Sequence, residues 1–265
     1  AEFNQLSPQQ MAFRRMKLGE IKLLFFQEYP ENDIDCWLSN EMSVIDGSTL
    51  RPYYSNVRNG REEGSLTIWK DVNGGRQYVI GADAASGQAR DYSVASVIDA
   101  KSLEYVARIR GKIHTDLFGE QLYNLGVRYN NALIAVERIG HGASVLKVLL
   151  DKNYPNIYYH TDYDDAKAVN ITDAGWKTSV KTKPLMVNRM ISTFRSQDLI
   201  SWSENLLFEA SGLIWEGGID SKIKTTSGGN DDEWTAVSIA LQVRESLPVY
   251  EQGTSSIRVS SYARI

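Results

Sequence analysis

The chain has 265 residues, 42% hydrophobic and 23% charged, the balance of an ordinary globular protein with enough apolar side chains for a sizeable core. A single cysteine, Cys36, excludes an internal disulfide, the apolar runs are far too short to span a bilayer, and no leader pattern opens the chain, which together point to a reducing cytoplasm and no membrane. The net charge of −4 argues against a nucleic-acid partner, but it hides a split: Glu28, Glu31, Asp33, Asp35, Glu41 and Asp46 form an acidic run, whereas Lys167, Lys177, Lys181, Lys183, Arg189 and Arg195 are opposed in their stretch only by Asp173.

Residues 1 to about 45 read as a helix that starts near Ser7-Pro8-Gln9-Gln10, followed by a linker that Gln27-Glu28-Tyr29-Pro30-Glu31 interrupts. Residues 58–75 read as a polar loop or edge hairpin. From residue 77 the pattern becomes regular. Residues 78–82, 93–98 and 103–109 are three strands, and Asp99-Ala100-Lys101-Ser102 is short enough to join the last two as a hairpin, so an antiparallel meander is expected. Asp116 is expected to cap a helix that carries Phe118, Leu122, Leu125 and Tyr129 as one stripe. A buried strand over 133–136, a helix over 141–150 and a short strand over 157–160 then make two β-α units. The fold class is therefore α/β, a mixed central sheet with three antiparallel strands and then parallel β-α units, flanked by helices.

Thr182-Lys183-Pro184 predicts a further helix start, and residues 205–215 form another candidate that Gly212 interrupts. Asp231 or Asp232 is expected to cap the last helix, with Trp234, Val237 and Leu241 along it. After Ser246-Leu247-Pro248 the chain reads as a loose, Ser- and Arg-rich tail.

The chemistry concentrates in acidic corners. Asp83 closes the apolar strand Tyr78-Val79-Ile80-Gly81-Ala82, and Glu137 closes Leu133-Ile134-Ala135-Val136. Carboxylates at the C-terminal ends of buried strands sit where α/β sheets place ligands. Each also has an ordinary explanation, a turn aspartate for one and a surface ion pair for the other. Asp231-Asp232 can cap a helix, but two adjacent aspartates exceed what capping needs. Converged, these carboxylates would repel one another without cations, and an all-oxygen set points to Mg²⁺ or Mn²⁺, with two ions about 3.5–4 Å apart suited to phosphodiester hydrolysis. Asp91 either adds a ligand or turns the chain before the second strand. Lys177, Lys181 and Lys183 are a solvated face or a phosphate contact, and His141 is a loop residue or a contact to DNA. The three histidines and Cys36 have no zinc-site spacing, and no phosphate loop for ATP occurs.

Taken in order, Gly81-Ala82-Asp83, Asp91-Tyr92-Ser93, Val136-Glu137 with Gly142, Gly175-Trp176-Lys177-Thr178-Ser179 before Thr182-Lys183-Pro184, and Asn230-Asp231-Asp232 resemble the ribonuclease H-like superfamily. More narrowly, the chain resembles the nuclease domain of the large terminase subunit of tailed bacteriophages, with Phe26-Gln27-Glu28-Tyr29-Pro30 similar to the end of the terminase ATPase domain. The resemblance implies that Asp83, Glu137 and one or both of Asp231 and Asp232 are metal ligands. It also implies an endonuclease that cuts concatemeric double-stranded viral DNA in the host bacterial cytoplasm, at the procapsid. Residues 1–50 would then be the end of an ATPase domain and a linker, 51–246 the nuclease and 247–265 a flexible tail. The partners it implies are DNA, the ATPase domain of the same longer polypeptide, the small terminase subunit and the portal protein. A junction resolvase or transposase, or a non-catalytic DNA-gripping module, are the alternatives. Two positions depart from the family pattern: Asn230, where many relatives have histidine or another residue, and Arg138, where asparagine commonly follows the glutamate.

Overall fold

The computed structural model describes residues 7–21, 29, 43–87, 91–164, 169–216, 222–226 and 229–247. The expected linker over 22–42 apart from Tyr29, with Cys36, and also Lys167 and the tail beyond residue 247 lie outside the described residues. Ser7 opens α1 (Pro8–Ile21) reciprocally, its Oγ accepting from Gln10 N at 3.3 Å while Gln10 Oε1 accepts from Ser7 N at 2.8 Å. Asp46 caps α2 (Gly47–Tyr54) through Oδ1, which accepts from Thr49 N at 2.9 Å. The sequence does not announce α2, because its eight residues include Gly47 and Pro52, both poor helix formers.

The polar stretch that follows is the anticipated hairpin, β1 (Arg61–Glu63) and β2 (Leu66–Ile68), with Gly64 at φ +67° between them. The meander forms as β3 (Tyr78–Asp83), β4 (Ser93–Asp99) and β5 (Tyr105–Gly111). Asp99 Oδ1 accepts from Lys101 N at 2.9 Å and Ser102 N at 3.0 Å, which tightens the last connection. In α3 (Thr115–Arg128) the expected cap is displaced: His114 holds the cap position without a side-chain bond, and Asp116 lies in the first turn, where its charge still favours the helix N-terminus.

β6 (Leu133–Val136) and α4 (Gly142–Asp151) follow as expected. The strand expected at 157–160 shrinks to a parallel bridge from Ile157 to Ile134, and the chain leaves the sheet as an antiparallel hairpin, β7 (Tyr159–Asp164) and β8 (Val169–Ala174). Residues such as His160, Thr161, Asp162, Asn170 and Thr172 are too polar to extend a sheet covered on both faces. Next, α5 (Thr182–Arg195) starts behind a reciprocal Ser179–Thr182 pair, Ser179 N donating to Thr182 Oγ1 at 2.8 Å and Thr182 N to Ser179 Oγ at 3.2 Å. The helix expected over 205–215 is cut short at Gly212, giving α6 (Glu204–Ser211), then β9 (Leu213–Glu216), whose Leu-Ile-Trp run favours extended chain, and β10 (Lys222–Thr225). The last helix is α7 (Asp232–Val243), with a 3₁₀ turn over Arg244–Ser246.

The described residues pack as two units, one within Ala1–Ser55 and Leu207–Gly229, the other within Asn56–Leu206 and Asn230–Ile265. In the first, β10 pairs with β9 antiparallel, Ser43 bridges to Ile214, and Val44 N donates to Leu213 O at 3.0 Å.

The second unit is built on a six-stranded sheet of order β1-β2-β5-β4-β3-β6, in which only the β3–β6 pairing is parallel. One face carries Ile80, Ala82, Ala95, Val97, Ala107, Ile109, Ile134 and Val136, which join Phe118, Leu122 and Leu125 of α3 and Val145 and Leu149 of α4 in the main apolar cluster. Tyr129 is also buried there, as its place on the expected stripe requires. The opposite face holds Gly81, and α7 crosses it so closely that a Cβ on Gly81 would lie 2.0 Å from Ala236 O and 2.6 Å from Ala240 N. Covered from both sides, β3 reads as an unbroken apolar run until Asp83. Among the described residues no helix is long and apolar enough to cross a membrane.

Candidate functional site

Parallel pairing sets Ala82 opposite Val136, and Glu137 N donates to Ala82 O at 2.8 Å. The next residues, Asp83 and Glu137, therefore stand side by side at the C-terminal edge of the sheet. Beyond Glu137 the backbone is held on both sides. Arg138 N donates to Trp176 O at 2.8 Å and Trp176 N to Val136 O at 2.7 Å, while α4 begins so near that a Cβ on Gly142 would fall 1.6 Å from Glu137 O. Gly175, at φ +86°, lets the strand from the hairpin pass Val136 O, which a Cβ would approach to 2.7 Å.

The N-terminus of α7 reaches the same edge. Asp231 occupies the cap position with φ −133° but makes no side-chain bond to the helix, so neither carboxylate is spent on capping. Asp232, the first helical residue, is 8% exposed, and its Oδ2 accepts from Tyr92 N at 3.0 Å and Asn230 Nδ2 at 3.3 Å. Tyr92 immediately precedes β4, whose Val94 pairs with Asp83, which ties Asp232 to the end of β3. Asn230, one of the two departures from the family pattern, thus steadies Asp232. Arg138, the other, pairs with Asp173 of the hairpin.

Glu233, which follows Asp232, escapes a reading of the sequence. It is fully buried: Arg108 Nη1 donates to its Oε2 at 2.8 Å, Asn205 Nδ2 to the same oxygen at 2.8 Å, and Ser203 Oγ and Tyr105 OH donate to Oε1 at 2.5 and 3.1 Å. Four donors on a buried carboxylate pin the start of α7 against β5. The available signal was Arg108, which requires an acidic partner only if that face of β5 is covered.

Burial and crowding govern the electrostatics. The Asp83 carboxyl is pushed up to about 8, by burial first, then by the charges of Glu137, Asp232 and Asp231 and by its hydrogen bond to Glu137. At neutral pH it therefore keeps a proton. Burial also raises Asp232, opposed by the Tyr92 N–H and by Arg110 and reinforced by Asp91 and Asp231. Asp231 is raised by burial as well, with Lys183 opposing and Asp91 adding to the rise.

Among the described residues no three His, Cys, Asp or Glu side chains stand as a ready-made metal shell. The carboxylates are neighbours at one edge rather than a closed cage, and Asp232 spends an oxygen on Tyr92 and Asn230. Their donor chemistry nevertheless fits a hard divalent cation: all the donors are oxygen, and among the described residues neither Asp83 nor Glu137 has a basic partner.

The other sequence candidates divide. Asp91 is exposed yet close enough to act on both Asp231 and Asp232, and Lys183 acts on Asp231. Lys177 lines a shallow groove with Arg138, Lys147 and Asp173 instead. Lys181 is exposed at the cap position of α5, and His141 is exposed at that of α4 without a capping bond.

A mixed sheet with a parallel last strand, covered by helices on both faces and ending in paired carboxylates, defines a ribonuclease H-like fold. Within that class the chain has the fold of phage large terminase nucleases. The large terminase nuclease from thermophilic phage G20c with bound magnesium aligns at a TM-score of 0.59 and 16% identity, over 77% of this chain and 98% of its own. The same nuclease with bound cobalt aligns at 0.57 and 18%, over 77% and 98%. The large terminase nuclease domain of Thermus phage P74-26 aligns at 0.56 and 19%, over 79% and 99%. At such identities the likeness is one of fold. No family model matches the chain, and no curated protein matches it.

Proposed function

We propose that the chain is a divalent-metal-dependent endonuclease that cuts concatemeric double-stranded viral DNA during genome packaging. The observation that carries this reading is the parallel register that seats Asp83 beside Glu137, with Asp232 delivered to the same edge by α7 and none of these carboxylates used as a cap. Asp83, Glu137 and Asp232 would hold the cations, Mg²⁺ or Mn²⁺, with Asp231 and Asp91 at the margin. Held there, such ions would supply activation of water and charge stabilisation for a leaving oxygen. The chain's own part is to exclude water around the buried carboxyls, to release the Asp83 proton on loading, and to fix Asp232 through Tyr92 N–H. The magnesium-bound and cobalt-bound G20c nucleases of the same fold support the choice of cation class.

In this reading residues 1–50 are the end of an ATPase domain and its linker, 51–246 the nuclease and 247–265 a tail. DNA is gripped mainly by its backbone, with Lys183 as a contact beside Asp231 and Lys177, Lys181 and His141 as contacts farther out. Site choice falls to a small terminase subunit and docking to a portal protein. The test is D83N on supercoiled plasmid with Mn²⁺. Cleavage should fall below detection while circular dichroism stays that of the wild type and the melting temperature does not fall. Undiminished cleavage by the variant would overturn the assignment.

A further inference from the structure

The sheet row that ends in Asp83 and Glu137 continues across two more strands. Asp83 pairs with Val94 on β4, and Val94 pairs with Arg110 on β5. Directly paired residues lie on one face, so Arg110 shares the α7 face with Asp83, two strands or about 10 Å away. Arg108 lies two residues back on that same face and is neutralised by Glu233, Nη1 to Oε2 at 2.8 Å.

Arg110 has no such partner. Among the described residues it makes no ion pair, and its Nε is buried without a hydrogen bond. Its guanidinium lies over the ring of Tyr92, 3.7 Å from the centroid, and Lys112 Nζ lies 5.8 Å from the same centroid. The backbone N–H of Tyr92 meanwhile holds Asp232 Oδ2 at 3.0 Å. One residue therefore fixes a carboxylate with its backbone and a cation with its ring. A guanidinium placed only to neutralise Asp232 would bond to it directly, as Arg108 does to Glu233. Stacked instead, it keeps its planar fork of donors unspent at the carboxylate edge, the geometry that suits two-pronged contact with phosphate oxygens.

We propose that Arg110, seated on Tyr92, is a phosphate-binding residue of this site, taking the oxygens of a DNA phosphodiester presented to Asp83, Glu137 and Asp232, with Lys112 a second contact at the outer edge. The proposal rests on the nuclease reading above. It puts a phosphate contact on β5 in addition to the lysine-dense stretch between Lys177 and Lys183.

The experiment compares the whole chain with R110A and R110K in two assays. The first is cleavage of plasmid at saturating concentration with Mn²⁺. The second is binding of a labelled duplex without divalent cation across a salt series. R110A should cleave about 100-fold more slowly while its circular dichroism stays that of the wild type, as expected when a donor to a reacting oxyanion is removed, with R110K intermediate. Its log affinity should also depend less steeply on log salt, by about 0.9. Cleavage within twofold of wild type together with an unchanged slope would overturn the proposal. Should R110A fail to fold, R110K decides, since lysine keeps the stem and charge but not the fork: slower cleavage supports the proposal and a wild-type rate refutes it. Should the wild-type chain itself not cut, the nuclease reading fails and the salt slope alone judges Arg110.

Discussion

Asp83 bears the heaviest electrostatic load of any residue at this edge. Its folded value of about 8 lies above the 3.8 of a free aspartate, so the folded protein keeps a proton that the unfolded chain gives up. The stability tied to that proton is full below about pH 3.8 and is lost as pH rises through about 8, and the raised Asp231 and Asp232 act in the same direction. Thermal unfolding of the metal-free protein should therefore give a midpoint that falls between about pH 4 and about pH 8, more steeply in the wild type than in D83N. A midpoint that climbs over that interval would contradict the raised Asp83 carboxyl. At this scale Asp83 and Glu137 stood out because each ends an apolar strand, and Asp231-Asp232 because a pair exceeds what a cap needs. Arg110 and Glu233 did not. In Tyr105-Val106-Ala107-Arg108-Ile109-Arg110 the charges alternate as on a solvated face, and only the docking of α7 over that face turns one arginine into a buried partner and leaves the other stacked on Tyr92.

Among the elements, the contact between β3 and α7 decides whether the acidic residues meet. It depends on Gly81, since any side chain there drives into the α7 backbone at Ala236 and Ala240. Gly81→Ala should cost about 1–3 kcal/mol in urea unfolding and should weaken cleavage further by pushing Asp232 away from Asp83. Unchanged stability would mean that the helix shifts freely and is not the device that positions Asp232. The elements read correctly from sequence were those with a strong period: the meander, the stripe Phe118, Leu122, Leu125 and Tyr129 of α3, and the buried strand before Glu137. Those misread lack such a period. The β7–β8 hairpin is polar and stands apart from the six-stranded sheet, and β9 hides behind Gly212 in a run that fits a helix equally well until its end.

For the molecule as a whole, the proposed action of an acidic chain on DNA is reconciled by segregation. Four aspartates and a glutamate crowd one edge of the sheet, and Arg110, Lys112 and Lys183 stand next to them. Bound cations would reverse the sign of that edge and present DNA with positive charge where the chain alone is negative. The most direct check is anomalous scattering from a crystal soaked in Mn²⁺. A peak within about 2.0–2.6 Å of carboxylate oxygens of both Asp83 and Glu137, with Asp232 turned toward it, is the expected result. Protein that cuts DNA with Mn²⁺ yet shows no anomalous density at those carboxylates would place the chemistry elsewhere on the chain.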